Sequence, residues 1–210
     1  MSRLIGVMGE PGSGKTTSLR NLLSEETYYI DCDGKGLNWR GWKAQYNTEN
    51  KNYYKTSNPN TVRNLLKAID EKAPKIKNII IDTLNNLMVS EEMRRCKEKG
   101  YDKWMDLAQS VWDIVDDSLK FREDLNIIIL FHIQKDEETG FVRIKTNGRK
   151  TEKNNIDSKF NTLFYAKCVD GKYIFETHAN NSTARTPMGA FEEMQIDNDI
   201  SKVLEILKEF

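Results

Sequence analysis

Three unbroken apolar runs stand out from an otherwise polar chain: Leu4-Ile5-Gly6-Val7-Met8, Ile79-Ile80-Ile81 and Ile127-Ile128-Ile129-Leu130-Phe131. Runs this short, without polar alternation, predict strands buried on both faces. Tyr28-Tyr29-Ile30 predicts another strand between the first two runs. The intervening segments have a different period. Thr17-Ser18-Leu19-Arg20-Asn21-Leu22-Leu23 spaces its apolar residues for a helix. Asn58-Pro59 places a capping side chain and a first-turn proline ahead of Val62, Leu65, Leu66 and Ile69. Helical spacing resumes over 84–99 and again over 104–121, where Trp104, Ala108, Val111, Val115 and Leu119 share a face.

The last third changes character. Two alternating runs, Thr162 to Val169 and Lys172 to Thr177, meet at Asp170-Gly171, a strong hairpin signal. Residues 134–158 are polar except near Phe141-Val142-Arg143-Ile144-Lys145, which predicts a hairpin arm. Residues 198–210 predict a C-terminal helix lined by Ile200, Val203, Leu204 and Leu207. The whole pattern predicts one α/β domain over 1–210, a mostly parallel sheet flanked by helices with a late antiparallel hairpin. Such sheets bind ligands beyond the carboxyl ends of their strands. The residues that end strands therefore carry the candidate chemistry.

The first strand leads into Gly9-Glu10-Pro11-Gly12-Ser13-Gly14-Lys15-Thr16, which fits the phosphate-binding loop pattern G-x-x-x-x-G-K-[ST]. Its glycines let the backbone approach phosphate, and successive N–H groups then form an anion nest. Lys15 is expected to reach the β- and γ-phosphates, and Thr16 to offer its hydroxyl to Mg²⁺. Thr17 follows within reach of the same phosphates. Asp82 ends the isoleucine strand. It can hold Mg²⁺ beside Thr16 and also cap the helix starting at Thr83. Asp31-Cys32-Asp33-Gly34 ends the second strand. It spells D-x-x-G, but no N-K-x-D motif follows, so a GTPase is discounted. One of the two carboxylates is expected to orient the attacking water, with Asp33 preferred; turn chemistry before Gly34 is the plainer alternative. His132 ends the last buried strand, where it can contact the γ-phosphate or its water, or serve as a hydrogen-bonded structural histidine.

Balanced charge narrows the partners. The 32 basic and 32 acidic residues cancel, which excludes a globally basic nucleic-acid-binding domain and leaves room for a local patch. Such a patch lies in Arg143, Lys145, Arg149, Lys150, Lys153 and Lys159, opposed by Glu152 and Asp157. It can contact nucleic-acid phosphates or be a solvated face. Arg185 follows the hairpin and can enter a neighbouring nucleotide site as an arginine finger, or sit in a surface turn. Cys32, Cys96 and Cys168 form no C-x-x-C pair and read as reduced thiols. No apolar stretch approaches membrane-spanning length, and no signal peptide precedes the first strand. A cytoplasmic protein without a membrane partner is expected.

The order of these motifs resembles the phage-encoded RecA-like P-loop ATPases, in particular the compact single-strand annealing group called Sak four. The resemblance runs from the P-loop through Ile30-Asp31-Cys32-Asp33, Ile79-Ile80-Ile81-Asp82-Thr83-Leu84 and Phe131-His132 to Ser182-Thr183-Ala184-Arg185-Thr186-Pro187. It implies a RecA-like core using ATP and Mg²⁺. It also implies Asp33 at the position of the catalytic glutamate, one methylene shorter, and His132 at the sensor position. Residues 134–160 would be the DNA-binding loop, and Arg185 the basic residue acting across a subunit interface. The implied partners are single-stranded DNA, further copies of the chain in a ring or filament, and a single-strand DNA-binding protein. The implied role is annealing or recombination of phage DNA in the host cytoplasm. The large extra domains of RecA are absent. A small-molecule P-loop kinase, with Arg149 on a lid, and a non-hydrolysing nucleotide-gated binding module are the alternative functions.

Overall fold

The computed structural model describes residues 1–100, 102–146 and 156–210. Its centre is a sheet ordered β10-β9-β8-β1-β5-β4-β2-β3. The six strands from β8 to β3 are parallel: β1 (Arg3–Gly9), β2 (Thr27–Asp31), β3 (Tyr53–Lys55), β4 (Asn78–Asp82), β5 (Asn126–Phe131) and β8 (Thr162–Val169). The hairpin β8–β9 (Lys172–Glu176) and then β10 (Gln195–Asp197) extend one edge in antiparallel fashion. A separate small hairpin joins β6 (Ile133–Lys135) to β7 (Val142–Ile144), so the first part of the polar stretch after β5 is ordered pairing.

The isoleucine runs have a simple cause. Successive side chains point to opposite faces of a strand. Ile79, Ile81, Ile127 and Ile129 face one core, while Ile80 and Ile128 face the other. The first core is covered by α2 (Pro59–Lys72), α3 (Leu84–Arg94) and α4 (Asp102–Ser118), which contribute Val62, Leu66, Leu87, Val111 and Ile114. The second is covered by Leu19, Leu22, Leu37 and Tyr46 and by α5 (Ile200–Ile206), with Val203 inward. A short helix, α1 (Trp42–Gln45), flanks this face.

Element boundaries depart from the sequence reading in informative places. The helix expected over 17–23 is a single 3₁₀ turn, Thr17–Leu19. Ser18 bonds to the Gly14 carbonyl as an α-helix would, but Leu19, Arg20 and Leu22 bond back three residues instead of four. Leu19 and Leu22, three apart, are both buried by this tighter winding, whereas Leu23 is left exposed. Arg20 also donates to the Thr17 and Asn198 carbonyls, at 3.0 and 2.8 Å. α3 ends at Arg94 rather than near Lys99. The C-terminal α-helix stops at Ile206 and tightens to a 3₁₀ turn, Leu207–Glu209; Asp199 caps its start by accepting from Ser201 N at 3.0 Å. The edge strands β3 and β10 were not expected.

Arg122 closes the seam between α2 and β4. Its guanidinium donates to the carbonyls of Ile69 (2.9 Å), Asp70 (3.0 Å), Ala73 (3.2 Å) and Ile76, which end α2 and the turn after it. Its backbone N–H adds a bond to Asp70 Oδ1 at 2.8 Å. Ile69 and Ala73 already accept from the N–H groups of Ala73 and Ile76, so the cation adds a second donor there and supplies one to the carbonyls of Asp70 and Ile76. Arg122→Ala is expected to lower unfolding free energy by about 1–3 kcal/mol in a urea titration, and Arg122→Lys to recover little, because an ammonium lacks the planar fork.

Candidate active site

The parallel strands deliver Gly9, Asp31, Asp82 and Phe131 to one edge of the sheet, because β1, β2, β4 and β5 run in the same direction. The P-loop fills the turn after β1. Gly12 and Gly14 take φ values of +80° and +93°, the left-handed region that glycine adopts without strain. A Cβ on Gly9 would lie 2.3 Å from Ser13 Oγ and 2.7 Å from the Ala166 carbonyl, so β8 packs against the loop too closely for a side chain there.

Lys15 is buried and folded back on its own loop, its Nζ donating to the carbonyls of Gly9 (2.8 Å) and Glu10 (2.7 Å). Burial pulls its ammonium down to about 8; Asp82 opposes that shift, and Lys35 adds to it. Thr16 Oγ1 donates to Asp82 Oδ2 at 2.8 Å, and the Tyr29 hydroxyl donates to the same oxygen. Burial pushes the Asp82 carboxyl up, and these two donors work against it. The Asp82–Thr83 peptide bond is cis.

Asp33 lies across from this strand end. Its Oδ1 accepts from Thr83 Oγ1 at 2.8 Å, and its Oδ2 pairs with Lys35 Nζ at 2.5 Å. Burial works to raise this carboxyl, but the bonds from Lys35 and Thr83 outweigh it and hold it below the ordinary range. Asp31 has a different job. It is buried, and its oxygens accept from Gly34 N (2.7 Å), Gly36 N (2.8 Å) and the Tyr53 hydroxyl (2.6 Å). Of the two carboxylates, Asp31 builds the loop and Asp33 faces the site. His132 is half-buried; burial first, and then the charge of Lys15, pulls its imidazole down, so it is neutral at physiological pH. Asn85, at the start of α3, accepts from His132 N at 2.8 Å and donates to the Lys145 carbonyl at 2.6 Å.

These residues suit a polyphosphate and a hard cation. Ser13 Oγ is buried in the loop with no hydrogen-bond partner, and a Cβ built on Gly12 meets nothing within 4 Å. Thr16 and Asp82 are adjacent oxygen donors. Among the described residues no group of three or more His, Cys, Asp or Glu side chains could hold a metal without further ligands. That fits Mg²⁺, which takes one or two protein oxygens and completes its shell with substrate phosphates and water.

The AAA_24 family, described as an AAA domain, matches residues 2–187, from β1 through the segment carrying Arg185. The chain belongs to this AAA domain family. That places it among the P-loop ATPases, a family that uses nucleotide and usually Mg²⁺. No curated protein matches it. Among solved structures it is similar to a KaiC-like protein from the hyperthermophilic archaeon Pyrococcus horikoshii, at 13% identity over 82% of this chain and 76% of that one, with a TM-score of 0.43. Among the described residues no helix of the AAA domain is long and apolar enough to cross a membrane.

The structure gathers Lys15, Thr16, Asp33, Asp82 and His132 at one strand-end cleft; Glu10 lends its carbonyl to Lys15, and Thr17 Oγ1 touches Asn38 Oδ1 at 3.4 Å. It does not bring Arg185 there. Arg185 Nε donates to the Thr183 carbonyl at 3.2 Å, and its charge acts on buried Asp157. Of the basic residues expected on a DNA-binding loop, Arg143 is on β7 and Lys145 follows it. Lys159 is taken up within the fold: its Nζ bonds Asp116 at 2.9 Å and lies 4.3 Å from the Trp112 ring centroid. Arg149, Lys150 and Lys153 lie outside the described residues. Sequence reasoning passed over Tyr29, Lys35, Thr83 and Asn85. The D-G-K-G run over 33–36 was the available signal for Lys35.

Lys15 gives a pH test of this geometry. Its depressed ammonium, near 8, is charged below that value and neutral above it, while bound phosphate favours the charged form. Nucleotide binding is therefore expected to take up a growing fraction of a proton between about pH 7 and about pH 9. Calorimetry of MgADP binding in buffers of different ionisation enthalpy measures this uptake, and an uptake that stays flat over that range contradicts a buried, depressed Lys15.

Proposed function

We propose that this AAA domain is an ATP hydrolase of the Sak-four kind, which binds single-stranded DNA as a homo-oligomer and promotes annealing or recombination of phage DNA. The observation that carries the hydrolase part is Thr16 bonded to Asp82 and Asp33 bonded to Thr83, with the Lys15 ammonium close enough to feel both carboxylates. In this reading Lys15 neutralises the β- and γ-phosphates. Thr16 and Asp82 hold Mg²⁺, which offsets phosphate charge when bound. Asp33 accepts a proton from water as the water oxygen bonds to the γ-phosphorus. The bond from that phosphorus to the bridging oxygen breaks, and ADP leaves with its electron pair. The bonds from Lys35 and Thr83 hold Asp33 ionised but weaken it as a base, so loss of the Lys35 bond would raise its basicity.

Support for the DNA part is the order of motifs along the chain and the position of the β6–β7 hairpin. That hairpin begins immediately after His132 and carries Arg143 on β7. Asn85 ties its base to the strand end beside the nucleotide site. Oligomerisation would let Arg185 leave the Thr183 carbonyl for an adjacent subunit's phosphates.

ATP hydrolysis measured with and without single-stranded DNA at low salt tests the proposal. DNA is expected to stimulate turnover, Lys15→Ala to abolish it, and binding to weaken with salt at a log–log slope near about −0.7 per phosphate contact. Hydrolysis that is indifferent to DNA, with no binding, removes the DNA role and leaves the hydrolase. Nucleotide binding with no turnover under any condition would make the domain a gated binding module.

A further inference from the structure

Lys35 stands between two glycines whose conformations only glycine adopts readily, Gly34 at φ +72° and Gly36 at φ +75°. The loop around it is built rather than loose. Both oxygens of the buried Asp31 carboxylate are spent on it, one on Gly34 N at 2.7 Å and the other on Gly36 N at 2.8 Å. The Tyr53 hydroxyl fixes Asp31 Oδ2 in turn, at 2.6 Å. The Lys55 side chain and the Trp42 ring close over the two glycines, where added Cβ atoms would meet them at 2.4 and 2.6 Å. The backbone is thus clamped from several sides, while the lysine side chain remains 71% exposed. The fixed loop thus presents an exposed lysine, held by Asp33, beside the strand end that carries Asp82.

Its reach is set by its present partner. Lys35 Nζ lies 2.5 Å from Asp33 Oδ2, and Asp33 Oδ1 is bonded to Thr83, the residue after Asp82. Its charge acts on Lys15, Asp82 and His132 as well as on Asp33. Lys35 therefore stands beside Asp33, near enough for its charge to be felt at Lys15. Arg185, the basic residue expected to supply a second cation, is engaged with the Thr183 carbonyl.

We propose that Lys35 is a catalytic cation for its own P-loop, moving from Asp33 to an oxygen of the γ-phosphoryl group when ATP binds. The exchange does two things at once. It adds positive charge where negative charge is spread in the transition state. It also frees an Asp33 oxygen to accept the water proton. Without triphosphate, the Asp33–Lys35 pair keeps the carboxylate occupied.

The inference rests on the hydrolase reading, and binding separates the two. The probes are MgADP and MgADP with aluminium fluoride, which mimics the transferring phosphoryl group. Lys35→Ala is expected to bind MgADP within about twofold of wild type, to bind the fluoride complex about tenfold or more weakly, and to lose about 100-fold in kcat. Lys35→Arg should retain most fluoride affinity. In an Asp33→Asn background, Lys35→Ala should still weaken the fluoride complex. If its effect vanishes there, Lys35 only positions Asp33 and the proposal fails. It also fails if Lys35→Ala matches wild type in fluoride affinity and turnover while wild type hydrolyses ATP. If wild type binds neither probe, the hydrolase reading falls first and takes this one with it.

Discussion

Oδ2 of Asp82 accepts a hydrogen bond from Thr16 in the P-loop and another from Tyr29 in β2. Three elements that are distant in sequence meet on one oxygen atom. A buried carboxylate without donors would be costly, and burial alone pushes Asp82 towards its protonated form. The two donors are what keep an anion tolerable there, and they also fix its direction. Because β2 pairs with β4 in parallel register, with Ile30 opposite Ile81 and Asp31 opposite Asp82, the Tyr29 hydroxyl and the Asp33 carboxylate flank the same strand end. The placement of Tyr29 and Asp33 beside Asp82 follows from that register.

Of the charged groups at this strand end, Asp33 and Lys35 form an ion pair, while Asp82 and Lys15 hold neutral partners. Asp31, Asp33 and Asp82 face Lys15 and Lys35, with neutral His132 beside them. Asp31 spends its oxygens on backbone N–H groups and a tyrosine, so it contributes structure more than field. Lys15 bonds only to loop carbonyls, which are weaker acceptors than phosphate oxygens. Lys15 thus has a better partner in a triphosphate than the one it holds, and exchange of partners gives the site a driving force for binding.

Local signals carried the sequence reading a long way. The P-loop spans eight consecutive residues, and the isoleucine runs need only a period to be recognised as doubly buried strands, so both were legible. Their arrival at one sheet edge followed from strand–helix alternation. What was not legible depends on pairs far apart in sequence. Tyr29 gains its meaning from Asp82, 53 residues on, and Asn85 from Lys145, 60 residues on. Lys159 looked like a free cation because nothing local announces Asp116, 43 residues earlier. The P-loop helix failed for another reason: Leu19 and Leu22 fit a three-residue period as well as a helical one, and burial chose the tighter turn. The edge strands β3 and β10 are three residues each, too short to show any period.

Asn85 shows how a site of this kind is coupled to the rest of the domain. It lies three residues beyond Asp82, in the first turn of α3, and it is buried. One end of its amide accepts from the backbone of His132, and the other donates to the Lys145 carbonyl. Lys145 N returns a bond to the His132 carbonyl at 2.8 Å. The end of β5, the base of the β6–β7 hairpin and the start of α3 therefore form one hydrogen-bonded unit. Asp33 grips that unit through Thr83. Packed interiors shift as discrete units rather than deforming smoothly. The partner exchange proposed for Asp33 would act on Thr83, two residues from Asn85, and through Asn85 on the hairpin that bears Arg143. The same few bonds that position the Asp33 carboxylate also tie the base of the β6–β7 hairpin to the strand ends.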